Sequence, residues 1–225
     1  MALFPNFFGQ AEKVIDPGIW RLSIIEAFIL PHLSSTSSAL QIGYDNGDWS
    51  KAFASRAQLR IADKKNIIEN IKNEGSSNIS YQQIDNDKLL FFADNSIDFV
   101  WSFNYFIELD IDSFRIFLEE IKRILKPEGQ AVIHHLQLDQ SSCFCSIRET
   151  ISKLFSSKLA HSTSAQMRPT KPIFLELLHS SGLRLDAQTR SWGKFKQFAL
   201  KNQQQMISII SKPLEPYLLS NKHPL

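Results

Sequence analysis

The chain has 225 residues, of which 43% are apolar and 21% charged, a balance typical of a globular domain with a sizeable core. Twenty-five basic and 23 acidic residues leave a formal net charge of +2, which argues against a nucleic acid as partner. The N-terminus lacks the basic and apolar regions of a signal peptide, and no apolar run reaches the length of a membrane span. We therefore expect a cytoplasmic protein without a membrane partner.

The two cysteines, Cys143 and Cys145, are separated by a single residue. Neighbours that close are poorly placed for an unstrained disulfide, which fits a reduced protein inside the cell. No group of histidines and cysteines has the spacing of zinc ligands, so we expect no structural metal.

Residues 1–38 differ in pattern from the rest of the chain. They begin with an aromatic stretch, and Asp16-Pro17 is a typical start signal for a helix that runs to about Leu30. A serine-rich connector then leads to the first strand. Two interpretations are open, a helix packed on the sheet edge or a lid over a cleft at the strand ends. We treat 1–38 as an N-terminal helical cap or lid and 39–225 as the main domain.

From residue 39 the pattern alternates between short apolar strands and helices. The predicted strands are 39–42, 59–62, 79–84, 96–102, 130–134, 183–192 and 206–211. The predicted helices are 49–55, 64–73, 111–125, 140–159 and 172–180. Repeated strand–helix units favour an α/β fold with a doubly wound parallel sheet, and the last two strands can pair as a hairpin.

The first strand leads directly into a loop with two glycines, Gly43 and Gly47. A strand, a tight glycine turn and a helix N-terminus build a small concave site that a nucleotide-like ligand can approach closely. Sixteen residues past Gly47, Asp63 closes the second strand, at a position where a carboxylate can take ribose hydroxyls. The sequence therefore predicts a nucleotide-like ligand at this edge of the sheet.

Together these segments resemble the class I S-adenosylmethionine-dependent methyltransferases. Gln41-Ile42-Gly43-Tyr44-Asp45-Asn46-Gly47 matches the family's glycine motif, Asp63 its ribose-holding acidic residue, and Asp85 the acidic residue beside the adenine amino group. Segments 91–100, 117–129 and 206–213 are similar to its approach to the fourth strand, its turn before the fifth, and its closing strand. The resemblance covers about residues 39–213.

The resemblance implies a Rossmann-like, doubly wound, seven-stranded sheet, mostly parallel, with an antiparallel C-terminal strand and helices on both faces. It also implies S-adenosylmethionine as the cofactor. The expected cofactor-binding residues are Gln41, Gly43, Tyr44, Asp45, Gly47, Asp63, Lys64, Asp85, Asn86, Ser102 and Phe103. Trp49 and Trp101 are expected to pack beside the cofactor loop.

Two residues depart from the family's pattern. Gln41 replaces the usual carboxylate, and Asp45 replaces the middle glycine, where a Cβ crowds a ligand that lies close to the backbone. Alternatively, Asp45 restores the lost charge by facing the methionine ammonium. These departures support a second hypothesis, a non-catalytic methyltransferase-like binding or scaffold protein with a degenerate cofactor loop.

Methyl transfer to an oxygen requires alignment of the reacting atoms and a base that takes the proton. His134 and His135 end the fifth strand, and because strand side chains alternate, only one of them can point into the cleft. We expect His135 as the base, with His134 second; the alternative is that both only pack or form hydrogen bonds. Asn104 and Tyr105 are expected to line the acceptor site, although Tyr105 suits the core equally well.

Arg168 is a candidate for binding an anionic group of the acceptor, against the alternative of a solvated loop arginine. The paired histidines and segment 167–183 are loosely similar to methyltransferases that act on sugars. The sequence thus predicts transfer to a small-molecule acceptor, with an oxygen of a sugar-like or natural-product compound as the leading candidate. It leaves open whether the protein is a homodimer.

Overall fold

The computed structural model describes residues 17–44, 47, 49–54, 56–64, 67–68, 78–84, 88–138, 169–190 and 203–214. The strands are β1 Ser38–Ile42, β2 Gln58–Asp63, β3 Ile79–Gln83, β4 Ile97–Ser102, β5 Leu125–Leu138, β6 Arg184–Arg190 and β7 Gln203–Ser211. The α-helices are α1 Pro17–Ile24, α2 Ser50–Ala54, α3 Ile111–Ile124 and α4 Lys171–Ser180. Shorter helical turns are the π turn Ile25–Ile29 and the 3-10 turns Leu30–His32 and Tyr105–Ile107.

The seven strands form one sheet in the order β3-β2-β1-β4-β5-β7-β6. The strands from β1 to β5 pair in parallel, and β7 is antiparallel to both of its neighbours. This confirms the predicted seven-stranded, mostly parallel sheet with an antiparallel C-terminal strand. The strand order reverses between β1 and β4, and in such sheets ligands bind at the carboxyl ends of the strands beside that point.

Helices cover both faces of the sheet, so the domain has two apolar cores. On one face α3 and α4 bury Phe117, Ile121 and Phe174 against the sheet. On the other, the N-terminal helical segment and α2 bury Phe53 and Trp101 with their neighbours. Burying side chains of this size contributes about 1.5–3 kcal/mol each, which fixes the sheet between its two helical layers.

The segment 17–33 belongs to the second of these cores. Ile24, Phe28 and Ile29 are buried there, and the π turn follows α1 without a break in the helical path. The predicted helix from Asp16-Pro17 to about Leu30 is therefore present from Pro17 as consecutive α, π and 3-10 turns. A lid role for this segment stays a prediction. No helix among the described residues is long and apolar enough to cross a membrane.

Arg123 of α3 joins that helix to the loop before β4. Its guanidinium donates to the carboxylates of Glu120 and Asp94 and to the carbonyls of Leu89 and Phe92. Hydrogen bonding to Glu120 is the main cause that raises the pKa of Arg123 above its ordinary value. The hydrogen bonds of Arg123 thus attach α3 to residues 89–94 before β4, two of the segments that resemble the family.

Strand β5 is longer than predicted at both ends. It begins at Leu125, pairs Leu125 with Ile97 and Gln130 with Phe99, and accommodates the turn 126–129 as a bulge. At Gly129 a Cβ would lie 2.8 Å from the Lys126 carbonyl oxygen, so the bulge requires glycine. At the other end β5 reaches Leu138 because β7 already starts at Gln203, in a glutamine run with no apolar strand pattern.

Helix α4 and strand β6 lie within two residues of their predicted bounds. Of the predicted helix 64–73, only residues 64 and 67–68 are described. The predicted helix 140–159 lies outside the described residues.

Candidate cofactor site

The carboxyl ends of β2, β1 and β4 are level with one another and with His134 of β5. The two histidines do not end β5 as expected, because pairing with β7 continues the strand to Leu138. Strand registers pair Ile42 with Ala62, Gln41 with Trp101, and Ser102 with Ile133. The residues that come directly after these pairs therefore form one row across the sheet edge. This row consists of Gly43, Asp63, Phe103 and His134.

Gly43 and Gly47 both adopt positive φ angles, of 87° and 80°. Glycine reaches this left-handed region without steric cost, so the two loop glycines are needed for the turn itself. At Gly43 a Cβ would also lie 3.0 Å from Cβ and Cδ2 of Tyr105. Tyr105 therefore packs directly on the loop, and it also contacts Phe117 edge-on at 5.4 Å. These contacts leave the Tyr105 ring partly buried against the core on the α3 face.

Gln41 connects the loop to α2. Its Nε2 donates to the carbonyl oxygen of Gly43 at 2.9 Å, and its Oε1 accepts from the hydroxyl of Ser50 at 3.2 Å. Both side chains are buried. Ser50 was not predicted as a site residue, because its only signal in the sequence is a hydroxyl at the start of a helix.

Asp63 connects β2 to the same loop. Its Oδ2 accepts from the main-chain N–H of Tyr44 at 2.7 Å, and its Oδ1 accepts from that of Lys64 at 2.6 Å. A carboxylate has roughly four acceptor positions, so each oxygen keeps capacity for one more donor. The carboxylate is fixed and buried, yet it can still take the two hydroxyls of a ribose.

Four expected site residues lie outside the described residues, namely Asp45, Asp85, Asn86 and Arg168. The other expected cofactor residues lie at the row or beside it. Ser102 is buried and donates its hydroxyl to the Ile42 carbonyl at 2.9 Å, which ties β4 to β1. Lys64 is exposed just beyond Asp63.

Asn104 follows the row on β4 in a strained conformation. Its φ is 66°, which is uncommon for a residue other than glycine, and its side chain is exposed. Its main-chain N–H donates to Nδ1 of His134 at 3.4 Å. Strain of this kind persists where the surroundings enforce it, and it is concentrated at functional sites.

His134 lies on the α1/α2 face of the sheet, stacked on Phe103 with ring centroids 4.1 Å apart. Burial, followed by the neighbouring His135, lowers the pKa of His134 to about 3. Because a main-chain N–H donates to Nδ1, the neutral ring carries its proton on Nε2. Nε2 makes no hydrogen bond of standard geometry among the described residues, although Gln205 lies near enough to oppose the pKa shift.

His135 points to the opposite face and is completely buried. Its ring stacks on Phe174 at 4.4 Å, Nε2 lies 2.9 Å from the Ser208 hydroxyl, and Nδ1 lies 3.2 Å from the Leu136 carbonyl. Burial lowers its pKa to about 4. Gln188 donates to Ser208 in turn, so the ring ends a buried hydrogen-bond chain across three strands.

The expectation that the two histidines face opposite sides is confirmed by these contacts. Both nitrogens of His135 already have partners in the core, which matches the packing and hydrogen-bonding alternative. His134 is the histidine in the row, and the main chain of Asn104 contacts it. A base role for either one stays a prediction.

An aromatic cluster underlies the loop on the α1/α2 face, and it consists of Trp20, Trp49, Trp101 and Phe103. Trp49 contacts Trp101 at 5.1 Å and Phe103 at 4.9 Å, as expected for packing beside the cofactor loop. Trp20 of α1 contacts Trp49 at 6.1 Å and Phe103 at 5.6 Å. No sequence pattern singled out Trp20, yet it is what connects the N-terminal segment to the end of β4.

The arrangement fits an S-adenosyl ligand at its ribose end, where Asp63 keeps acceptor capacity beside a tight glycine turn. Across the described ranges, no three His, Cys, Asp or Glu side chains gather as metal ligands do.

Comparisons with known proteins agree with this geometry. Residues 40–133 match the family model described as a methyltransferase domain. No curated protein sequence matches the chain.

Several solved structures have a similar fold. A SAM-dependent methyltransferase from Methanosarcina mazei is 17% identical with a TM-score of 0.58, covering 84% of this chain and 98% of its own. The YcgJ protein of Bacillus subtilis is 13% identical with a TM-score of 0.62, covering 88% and 100%. Phosphoethanolamine N-methyltransferase 2 of Haemonchus contortus, in complex with S-adenosyl-L-methionine, is 16% identical with a TM-score of 0.60, covering 86% and 52%.

The segment that the family model matches thus contains the glycine loop, Asp63 at the end of β2, and most of strands β1 to β5. From residue 40 to residue 133 this chain matches a methyltransferase domain, and its fold is similar to that of the solved S-adenosylmethionine-dependent methyltransferases.

Proposed function

We propose that the protein binds S-adenosylmethionine and transfers its methyl group to a small-molecule acceptor, with an oxygen of a sugar-like or natural-product compound as the leading candidate. The observation that carries the proposal is the Asp63 carboxylate, which two main-chain N–H groups hold at the sheet edge. It retains acceptor capacity beside the glycine loop, as a ribose-binding group must. When bound, the cofactor would supply an electrophilic methyl group on its sulfonium sulfur, with the neutral thioether S-adenosylhomocysteine as the leaving group.

The chain's own residues then have to bind and orient the two reactants. Asp63 and the Gly43 turn hold the cofactor's ribose end, and Ser102 and Phe103 border it at the end of β4. Asn104 and Tyr105 border the neighbouring space and are proposed to contact the acceptor. Alignment of this kind supplies most of the rate in a displacement that needs no other covalent step.

An oxygen acceptor must also lose a proton, and both histidines are neutral at pH 7, the state in which a base can act. For either ring to reach an acceptor, the aromatic ring that covers it must move. That ring is Phe103 for His134 and Phe174 for His135. We propose His134 as the base because it lies in the row beside Asn104, where release of the Asn104 N–H would free Nδ1 to take the proton; His135 is the alternative.

The proposed cofactor site is tested by calorimetric titration of the full chain with S-adenosylhomocysteine and with its 2′-deoxyribose counterpart. Removing one ribose hydroxyl should weaken binding about tenfold or more, because a hydrogen bond to a carboxylate is lost. Equal affinities would contradict the ribose assignment to Asp63. This comparison requires no substitution in a residue that also supports the loop.

The base is tested by turnover, measured as S-adenosylhomocysteine formation over panels of sugar, phenol and amine acceptors. His134→Gln should lower turnover at unchanged cofactor affinity, whereas His135→Gln should act mainly on stability. The reverse pattern would identify His135 as the base. If only amines are methylated, the acceptor atom is nitrogen, and the proposal of an oxygen acceptor with a histidine base is wrong.

A second candidate is a non-catalytic binding or scaffold protein that keeps the fold. The observation that favours it is Gln41, which replaces the family's carboxylate and has both polar atoms engaged inside the protein. Failure of both S-adenosylmethionine and S-adenosylhomocysteine to raise the melting temperature would support this candidate. A ligand at about 100 times its Kd should stabilise the fold by about 2.7 kcal/mol.

A further inference from the structure

We propose that Gln205 of β7 is a positioning residue for His134. Its side-chain carbonyl accepts the Nε2–H of the ring, so that the basic lone pair stays on Nδ1, on the side of Asn104. The proposal rests on the proposed function, because it concerns the residue proposed there as the base. It gives a role to a glutamine that no pattern in the sequence singled out.

The register of the two strands brings the side chains of His134 and Gln205 together. On the antiparallel β7, Ile207 is directly opposite His134, and Gln205 is directly opposite Leu136. Residues opposite each other share a face of the sheet, and so do alternate residues of one strand, so both side chains lie on the α1/α2 face. Gln205 is therefore the diagonal neighbour of His134, at a separation that long side chains can span.

The two side chains are a complementary donor and acceptor. Nδ1 of His134 accepts from the Asn104 N–H at 3.4 Å, which leaves the proton of the neutral ring on Nε2. Nε2 and the Gln205 Oε1 are both buried, and within the described ranges neither has a hydrogen bond of standard geometry. Burial has the largest effect on the pKa of His134 and lowers it, while Gln205 opposes this as a hydrogen-bonding partner. Loose hydrogen bonds of this kind in an unliganded site tighten when the reactants bind.

The contact has its largest effect when the base acts. Once the Asn104 N–H has released Nδ1, transfer of the acceptor's proton breaks an O–H bond, forms an N–H bond and leaves a positive charge on the ring. A hydrogen bond from a charged donor is about twice as strong as a neutral one, so the Gln205 carbonyl favours the protonated ring. Phe103, stacked on His134 at 4.1 Å, fixes the plane of the ring, and Gln205 fixes which nitrogen carries the proton.

The first test needs no ligand and follows the His134 ring by nitrogen-15 NMR of the full chain. Within the described part of the chain no carboxylate acts on the pKa of His134, and its titratable neighbour is His135. Gln205→Glu should therefore raise the pKa of His134 by about one or more, because a carboxylate stabilises the protonated ring. Gln205→Leu should move the Nε2 proton resonance upfield, because that proton loses its acceptor. An unchanged ring in either variant overturns the proposal.

Gln188→Leu is the matched control for these variants. Gln188 is also a half-buried glutamine of the antiparallel strands, but its amide donates to Ser208, the partner of His135 on the opposite face. This variant should leave the pKa and the resonances of His134 as they are in the wild type. A change as large as that of Gln205→Leu would mean that His134 responds to any loosening of these strands, which overturns the direct contact.

The second test measures kcat and KM against pH, on an acceptor that the wild type methylates. Gln205→Leu should lower kcat about tenfold or more at unchanged KM for both reactants, because the protonated ring loses a hydrogen bond. In Gln205→Glu, kcat should fall between pH 7 and pH 5, where that of the wild type stays level. Equal kcat in Gln205→Leu and the wild type overturns the proposal.

The two tests separate this proposal from the function on which it rests. If the wild type methylates no acceptor, the proposed function fails, and the role of Gln205 fails with it even if the ring responds in the NMR experiment. If the wild type is active but His134 does not respond to Gln205, the positioning role alone fails.

Discussion

The glycine loop and residues 134–135 of β5 both place polar groups near the carboxyl ends of β1, β2 and β4, but folding leaves them in different chemical states. At the loop, Asp63 is fixed by two main-chain N–H groups and keeps free acceptor positions. At β5, His135 has both ring nitrogens engaged between buried aromatic rings. A predicted position at the end of a strand therefore identifies a candidate, and the hydrogen-bonding capacity left after folding decides whether it can bind a ligand.

Removal of the Asp63 carboxylate tests directly whether the loop binds the ligand. Asp63→Ala should abolish measurable binding of S-adenosylhomocysteine and lower the free energy of unfolding by about 2 kcal/mol or more, because two main-chain N–H groups lose their acceptor. Urea denaturation and calorimetry measure the two effects.

Asp98→Ala is the matched control for that variant. Asp98 also accepts from a main-chain N–H and pairs with Lys126, but it lies at the opposite edge of the sheet. It should lose stability without loss of ligand affinity per folded molecule. A parallel loss of affinity in both variants would mean that Asp63 acts only through the fold.

The pH dependence of stability tests whether the buried histidines of β5 resist protonation in the folded protein. The folded pKa values of His134 and His135, about 3 and about 4, lie below the ordinary value near 6.5, so the unfolded chain takes up protons first as the pH falls. Stability should therefore decrease from pH 6.5 downward, by up to about 1.4 kcal/mol per pH unit for each histidine. Urea midpoints at pH 7.5, 6.5, 5.5 and 5.0 measure the slope.

His32 contributes to the same slope, because burial lowers its pKa as well. His135→Gln, which carries no titrating group, should give a shallower slope than the wild type over the same range. An unchanged slope would show that His135 is accessible to protons in the folded state, and it would favour His135 over His134 as the base.

A smaller change in stability is expected at Asn104, which follows β4. Asn104→Ala should lower stability by about 1 kcal/mol, because alanine tolerates a φ of 66° less well than asparagine. Asn104→Gly removes the same side chain but relieves the strain, and it should be at least as stable as the wild type. Equal stability of the two variants, from urea denaturation, would show that the backbone relaxes there.

Much of the fold could be predicted because its signals are local. The apolar spacing of α3, the glycines of the turn and the acidic end of β2 each follow from a few neighbouring residues. The first five strand starts lie within a residue of their predictions except at β5, where a bulge hides the start. The predicted bounds of β7 were too short, because a glutamine run forms its first three residues and is held by pairing with β5.

The strand–helix order, the turn at the two loop glycines and the place of Asp63 after β2 follow from local sequence, since backbone conformation and apolar periodicity depend on nearby residues. The hydrogen bonds of the polar side chains depend instead on the assembled fold. Gln41 reaches Ser50 across the loop, and His135 reaches Ser208, which is 73 positions away in the chain. Such partners come together only when the sheet assembles, so the capacity each group retains for a ligand is a property of the fold.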